Sequence, residues 1–386
     1  MTAIPTRSLA FVEPNPDAYI DAIWNAVQNG ARTVRIAPAS VESVRLHDIL
    51  RAKLPPEIEV VALAEIPAEL TLRAKREETP TIYALFAQEE KDLPALLLQF
   101  LDWQGGWLIA PKTKRFYAES PLFLVAIPNA GAHLLYQLAR RIGYRDGIEL
   151  TGAAKPAHWY CLEYSNLHTS APDFFIDGAR RNPFGNRAHP FPRTPTLFIY
   201  RNPLDILVSE ANSYNEDGKG TLQGYLSEVS FDERLKRLLF DPWLLGSIRD
   251  RVGKFLAWLD FPNVIPLSYE ELIGARGGGD DLVRESLIWS IQLKLQIPGD
   301  PGQLGEAVLE KDSSTINKYS IGSYRKALTR RVFDEFSNVD QDFMELLGYA
   351  GCDMGHTPFP PARAGEFRRR PLKLSMVNHD ETPFVQ

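Results

Sequence analysis

Two segments of this chain, PLFLVAI at 121–127 and TLFIY at 196–200, are short runs of strand-forming apolar residues with almost no polar interruption. A strand buried on both faces reads this way, whereas a half-exposed strand alternates, so both predict central strands of a parallel sheet. Each runs directly into a turn and a helix pattern. PNAGAH leads to LLYQLARRIG, an amphipathic stretch ended by Gly143, and RNP leads to LDILVSEANSY. A third strand, NVIPLS, interrupts mostly helical sequence that extends to about Tyr349. Strand–turn–helix repeats of this kind predict an α/β fold, a parallel sheet flanked by helices.

The same alternation occurs earlier. LAFV is followed by PDAYIDAIWNAVQNG, in which Tyr19, Ile20, Ile23 and Val27 share one helical face and Gly30 ends the helix. TVRIA, a helix over about 40–53 opened by Ser40 or Ser43, and EVVALAEI complete a small α/β unit with parallel strands. TIYALFA, a helix around LPALLLQFL, and the aromatic WQGGWLIA and KRFYA continue it. Trp103, Trp107 and Tyr117 could line an acceptor cleft, although aromatics in core strands are the commoner case. The expected organisation is an additional N-terminal α/β domain over 1–118, a second domain over 119–350, and a polar tail over 351–386 rich in Pro and Arg. The tail is expected to pack loosely.

Composition narrows the function classes. The chain has 386 residues and a net charge of −6, with pI near 5.8, which argues against a protein built to hold nucleic acid. A small anion remains possible, because local arginines and helix ends bind it. Cys161 and Cys352 are far apart and lack metal-ligand spacing, so neither a disulfide framework nor a structural metal is expected. No apolar run suits a signal peptide or approaches the roughly 20 residues of a membrane span. The expected location is the cytoplasm.

Two segments carry chemistry. A buried strand, a Gly-containing turn and a helix leave unpaired N–H groups and a favourable dipole, so IPNAGAHLL reads as a phosphate loop. Strand–turn–helix with one Gly is common, and a structural turn explains it equally well. FIYRNPLDILVS is sharper: Arg201 lies just past a buried strand, Pro203 in the first helical turn and Ser209 farther in. A guanidinium and a hydroxyl placed so can bind a phosphate. Asp205, near the helix start, complements the dipole.

This pair resembles the two donor-binding signatures of the sulfotransferases that use 3′-phosphoadenylyl sulfate (PAPS), with their P-loop-like domain. Arg201, Asn202, Pro203, Asp205, Val208 and Ser209 match the family's R-[ND]-P-x-D-x-x-V-S signature, whose Arg and Ser bind the 3′-phosphate. The resemblance implies that Asn129, Ala130, Gly131, Ala132 and His133 surround the 5′ side of the nucleotide. FLAWLDFPNVIPLSYEELIG resembles the stretch that would put Tyr269 near the adenine. IGSYRKALTRRVFDEFSNVDQDFMELLGY resembles the segment after the family's Arg-Lys-Gly motif, which falls here on Asn317, Lys318 and Tyr319. Lys318 could neutralise the 3′-phosphate, or could be an ordinary solvated lysine. The resemblance covers 121–349 and leaves the first 120 residues unexplained.

The departures are informative. The family's Lys-Ser-Gly-Thr becomes Asn129-Ala130-Gly131-Ala132, so the glycine bend survives while a lysine and two hydroxyls are gone. Group transfer of this kind relies on position and opposing charge, and losing one such donor costs ~3–4 kcal/mol of barrier. Lys112, Lys114, Arg115 and Lys318 are the candidates for a substitute cation. A base for the acceptor is expected at His168 in NLHTSAPDFF, with His189 and then His158 as competitors. His133, in the first helical turn, is expected to pack or to line the site in its neutral form.

The resemblance therefore implies a sulfotransferase moving a sulfuryl group from PAPS to a hydroxyl or amine of a carbohydrate, lipid or secondary metabolite, without a metal. The alternative is a non-catalytic module that keeps the 3′-phosphonucleotide or only the scaffold. A P-loop kinase fits poorly, because the turn lacks the Gly-Lys-Ser/Thr ending that grips phosphate and magnesium.

Overall fold

The computed structural model describes residues 7–67, 80–87, 89–113, 119–148, 154–162, 194–214, 222–241, 243–244, 246–309, 320–338 and 342–374. They form two compact units, one of Met1–Glu119 with Arg284–Val308 and one of Ser120–Val283 with Leu309–Gln386.

The first unit is built on a five-stranded sheet of β1 (Ser8–Val12), β2 (Thr33–Ala37), β3 (Glu59–Ala62), β4 (Thr81–Leu85) and β5 (Trp107–Pro111), in the order β1-β5-β4-β2-β3. Every pairing is parallel. Helix α1 (Pro16–Gln28) starts where Asn15 accepts the Ala18 N–H, with proline at its first position. Helix α2 (Val41–Lys53) starts in a reciprocal cap between Ser40 and Ser43. The sequence offers Ser40 or Ser43 for the second start, and the structure uses the two together.

Alternation along β4 divides the core. Ile82 and Ala84 join Tyr19, Ile23, Val27, Leu46 and Leu50 on one face. Tyr83 and Leu85 join Leu93 and Leu97 of α3 (Leu93–Leu98), Phe100, Trp103 and Trp289 on the other. Trp103 is fully buried there, in edge contact with Tyr83 at 5.6 Å, so it is a core residue and lines no cleft. Trp289 comes from the Asp281–Leu295 helix and donates its indole N–H to the Phe100 carbonyl at 2.8 Å. A segment more than 150 residues downstream of β5 thus completes this core, which no local pattern announces.

The second unit carries β6 (Leu122–Ala126), β7 (Arg145–Ile148), β8 (His158–Cys161), β9 (Thr196–Tyr200) and β10 (Val264–Ser268), in the order β10-β9-β6-β8-β7. All pairs are again parallel. Every residue of β6, β9 and β10 is buried, as their apolar sequences require. Strands β7 and β8, with sequences RDGI and HWYC, were not foreseen, since four residues of mixed polarity carry no period. The fold class, α/β with parallel sheets flanked by helices, is as expected.

The C-terminal tail does not pack loosely as far as it is described. In the Ala364–Arg369 helix Phe367 is buried, with its ring edge-on to Tyr200 at 6.0 Å. Arg370 donates to the carbonyls of Leu259, Phe261 and Val264, and Lys373 N–H donates to Pro262. Proline and arginine look solvated in sequence, but here the guanidinium satisfies carbonyls at the start of β10 and lets an aromatic seal the core beside it. Phe367→Ala is expected to cost about 3–5 kcal/mol in denaturant unfolding. A loss within about 0.5 kcal/mol, the range of ordinary surface substitutions, would mean that the tail is not part of the core.

Candidate functional site

The strand order of the second unit locates a crevice before any side chain is considered. From β6 the chain moves through α4 (Ala132–Arg141) toward β7 and β8, whereas from β9 it moves toward β10. The direction of winding reverses between β6 and β9, and ligands of open parallel sheets bind outside the strand ends at such a reversal. The pairing Ala126↔Ile199 and the bond from Ile127 N–H to the Ile199 carbonyl at 3.1 Å keep these two ends in register. The two segments singled out in the sequence are therefore neighbours.

On the β6 side, the turn holds two left-handed residues, Asn129 at φ 62° and Gly131 at φ 101°. Gly131 is the N-cap of α4 and offers no side chain to its first turn. The N–H groups of Ala132 and His133 meet no hydrogen-bond acceptor among the described residues, while those of Leu134 and Leu135 both reach the Gly131 carbonyl. Bare N–H groups at the start of a ten-residue helix are what a phosphate oxygen requires. Asn129, Gly131 and Ala132 are half-buried and His133 is exposed, whereas Ala130 is fully buried and faces the core. His133 sits edge-on to Tyr136 at 6.3 Å.

On the β9 side, the Pro203–Ser213 helix is closed by its own cap, since the Asn202 side chain accepts the Leu204 N–H at 2.9 Å. The anion-accepting end is thus that of α4. Arg201 reaches across, with Nη1 3.5 Å from the Asn129 carbonyl. Its guanidinium lies over the Tyr269 ring at 4.1 Å. Tyr269 opens the Tyr269–Ile273 helix after β10 and lies against Gly131, where an added Cβ would come within 2.6 Å of the ring. Only glycine permits that approach.

The structure thus brings Asn129, Gly131, Arg201 and Tyr269 together. Arg201 and Tyr269 are buried there, at 2% and 5% exposure, and Ser209 in the following helix is buried as well. A desolvated cation–π pair is worth on the order of 2 kcal/mol. A phosphate contacting Arg201 must therefore displace this stack. The backbone turn can accept a phosphate oxygen as it stands, and the guanidinium can do so once the stack opens.

Two residues that sequence reasoning missed hold the arginine's backbone. Glu270 is fully buried, and its Oε1 accepts the Asn202 N–H at 2.9 Å. Its Oε2 accepts the Tyr349 hydroxyl at 2.5 Å. The Tyr349 ring packs edge-on against Tyr200 at 6.2 Å. Both residues flanking Arg201 are therefore fixed by one hydrogen-bonded pair. The available signal was the capping box Ser268-x-x-Glu271, whose mutual bonds engage the buried Glu271 and leave Glu270 for the Asn202 N–H. Burial pushes the Glu270 carboxyl up to about 7, against the opposing influence of Tyr349, the Asn202 N–H and Arg201.

Asp205 does more than complement the helix dipole. Its carboxylate accepts from Gly322 N–H at 2.8 Å, Ser323 Oγ at 2.8 Å and Tyr324 N–H at 3.1 Å, which ties the 320–324 segment to the helix start. His168, His189, Lys114, Arg115, Tyr117 and Lys318 lie outside the described residues. His158 opens β8 beside the start of β6, at the opposite end of the strands from the turn. Lys112 ends in an ion pair with Glu119 at 3.1 Å. Among the described residues no group of His, Cys, Asp or Glu could hold a metal, and no helix is long and apolar enough to cross a membrane.

No family model matches this chain, and no curated protein matches it. Among solved structures it is similar to the mouse sulfotransferase SULT7A1 complexed with PAP, at 15% identity over 61% of this chain and 88% of that one, with a TM-score of 0.39. It is also similar to retinol dehydratase in complex with androsterone and inactive cofactor PAP, at 12% identity over 66% of this chain and 78% of that one, with a TM-score of 0.25.

The buried carboxyl predicts a pH effect. A carboxyl whose folded value lies above its unfolded value gives stability that is fully present below the unfolded value and is lost as pH rises through the folded one. Glu270→Gln mimics the neutral form and keeps an acceptor for Asn202. Relative to this variant, the wild type should lose stability between about pH 5 and 8, by roughly 3 kcal/mol at most. Thermal melts of both proteins across this range check it, and parallel curves would refute the assignment.

Proposed function

We propose that the second unit binds a 3′-phosphoadenylate at the ends of β6 and β9 and works as a PAPS-dependent sulfotransferase-type domain on a hydroxyl or amine acceptor. The observation that carries the reading is the placement of Arg201, the leading residue of the R-N-P-x-D-x-x-V-S match, beside the Gly131 turn at the winding reversal of the sheet. In this reading the Ala132 and His133 N–H groups hold the 5′ side through the α4 dipole, Arg201 and Ser209 take the 3′-phosphate, and Tyr269 turns to stack on the adenine. PAPS supplies the sulfuryl group and a stable nucleotide leaving group. The protein's part is to fix both anionic ends and keep water from the reacting oxygen. His168 is the proposed base, and a carbohydrate, lipid or secondary metabolite in the cytoplasm the proposed acceptor class.

A second reading is a module that holds the nucleotide, or only the scaffold, without transferring sulfate. Asn129, Ala130 and Ala132 offer neither the charge nor the hydroxyls that stabilise transfer, and Arg201 is already engaged by Tyr269. Calorimetry with 3′,5′-diphosphoadenosine addresses what the two share. The wild type should bind and Arg201→Ala should weaken binding about 10–100-fold, the value of about 1.5–3 kcal/mol for hydrogen bonds to a charged group. Equal affinities would remove Arg201 from the site.

Transfer of labelled sulfate to a panel of hydroxyl and amine acceptors then separates the two readings. Asn129→Lys restores a cation at the 5′ side and should raise any measurable transfer rate by at least about tenfold, given that one such donor is worth ~3–4 kcal/mol. A fall in rate would show that the turn has been adapted to another arrangement.

A further inference from the structure

Resting on the nucleotide-binding reading above, we infer that Glu270 is a positioning residue for Arg201 and that nucleotide binding at the β6/β9 crevice draws a proton onto its carboxylate. The geometry is a closed clamp. Glu270 holds the Asn202 N–H on one side of Arg201, while Tyr349 packs on Tyr200 on the other side and donates its hydroxyl to Glu270. The residue before Glu270 is Tyr269, whose ring carries the guanidinium. One short segment therefore supplies both the surface on which Arg201 rests and the anchor of its peptide.

The groups facing this clamp come from every element around it. They are Arg201 and Tyr200 at the end of β9, Asp205 in the following helix, Tyr269 and Glu271 beside Glu270, Tyr349, and Arg363 and Arg368 from the tail. Arg201 favours the charged form of Glu270, and burial opposes it with the larger effect. When Arg201 turns to a phosphate, its charge is shared with a dianion, and the new negative charge acts directly on the carboxylate. Both changes favour the acid. One proton comes from solvent to Oε2, and the carboxyl O–H then donates to the Tyr349 oxygen that had been its donor. Affinity should accordingly fall as pH rises through and above neutrality. A phosphate monoester has the opposite dependence, because its second ionisation near pH 6 favours binding at higher pH. Measurements above pH 7 separate the two.

The test is calorimetry of the full chain with 3′,5′-diphosphoadenosine at pH 7.5 in buffers of different ionisation enthalpy, with affinities followed from pH 7 to 8.5. The wild type should take up a fraction of a proton on binding and lose up to about tenfold in affinity per pH unit, the limit for one linked proton. Glu270→Gln should abolish the uptake and flatten the affinity profile. Tyr349→Phe removes a bond that favours the charged form, and should move the midpoint of the profile to higher pH. A mutation that merely loosened the fold would lower affinity at every pH without moving that midpoint. Uptake that persists in Glu270→Gln would overturn the assignment while leaving nucleotide binding intact. Absence of binding by the wild type at every pH would instead sink the nucleotide reading itself, and this inference with it.

Discussion

The parallel pairing of β6 with β9 is the constraint on which the candidate site depends. Neither strand end has meaning alone: the turn after β6 offers backbone N–H groups without a cation, and the end of β9 offers a cation whose helix is already capped. Parallel pairing in register puts the two within reach, so Arg201 spans from one strand end to the carbonyl of Asn129. A one-residue slip would turn each alternating side chain to the other face. Phe123, Val125, Phe198 and Tyr200 share one buried cluster in the observed register. Core packing thereby sets the geometry of the crevice.

Around this pairing the molecule spends polar groups on backbone rather than on open surface. Asp205, Glu270, Arg234 and Arg370 are each bonded to main-chain groups remote in sequence. Buried charges persist only when so satisfied. The effect is to tie the loops after β9 and β10, the 320–324 segment and the tail to one rigid edge.

What could be read in the sequence was what short-range physics determines. The buried strands β6, β9 and β10 follow from continuous apolar runs, α1 from its one apolar face ended by Gly30, and α2 from its opening serines. The Arg201–Ser209 signature placed a functional candidate because its spacing is fixed by a strand end and two helical turns. Long-range partnerships were hidden. Trp289 completing the first unit, Tyr349 bonding Glu270 and Phe367 covering Tyr200 join residues separated by more than 70 positions, and no period or motif encodes such pairs. Strands β7 and β8 were missed because their sequences are short and mixed. Glu270 was hidden for a subtler reason: both glutamates of Tyr-Glu-Glu are buried, and the sequence does not say that Glu271 closes the cap while Glu270 holds the Asn202 N–H.

Charge balance explains why the altered turn and the buried arginine belong to one arrangement. A turn with lysine could hold an anion by itself, leaving the β9 arginine free to act as a second, independent contact. Here the turn contributes only N–H dipoles, which are partial charges of about half a unit at a helix end. Among the described residues the full positive charge that reaches the turn is that of Arg201, and it is held by the Tyr269 face, the Asn129 carbonyl and the field of Glu270. An anion entering this crevice must exchange itself for those interior contacts. The cost of opening the Arg201–Tyr269 stack therefore opposes any anion that takes the guanidinium, and the altered turn makes that arginine the charge on which the crevice relies.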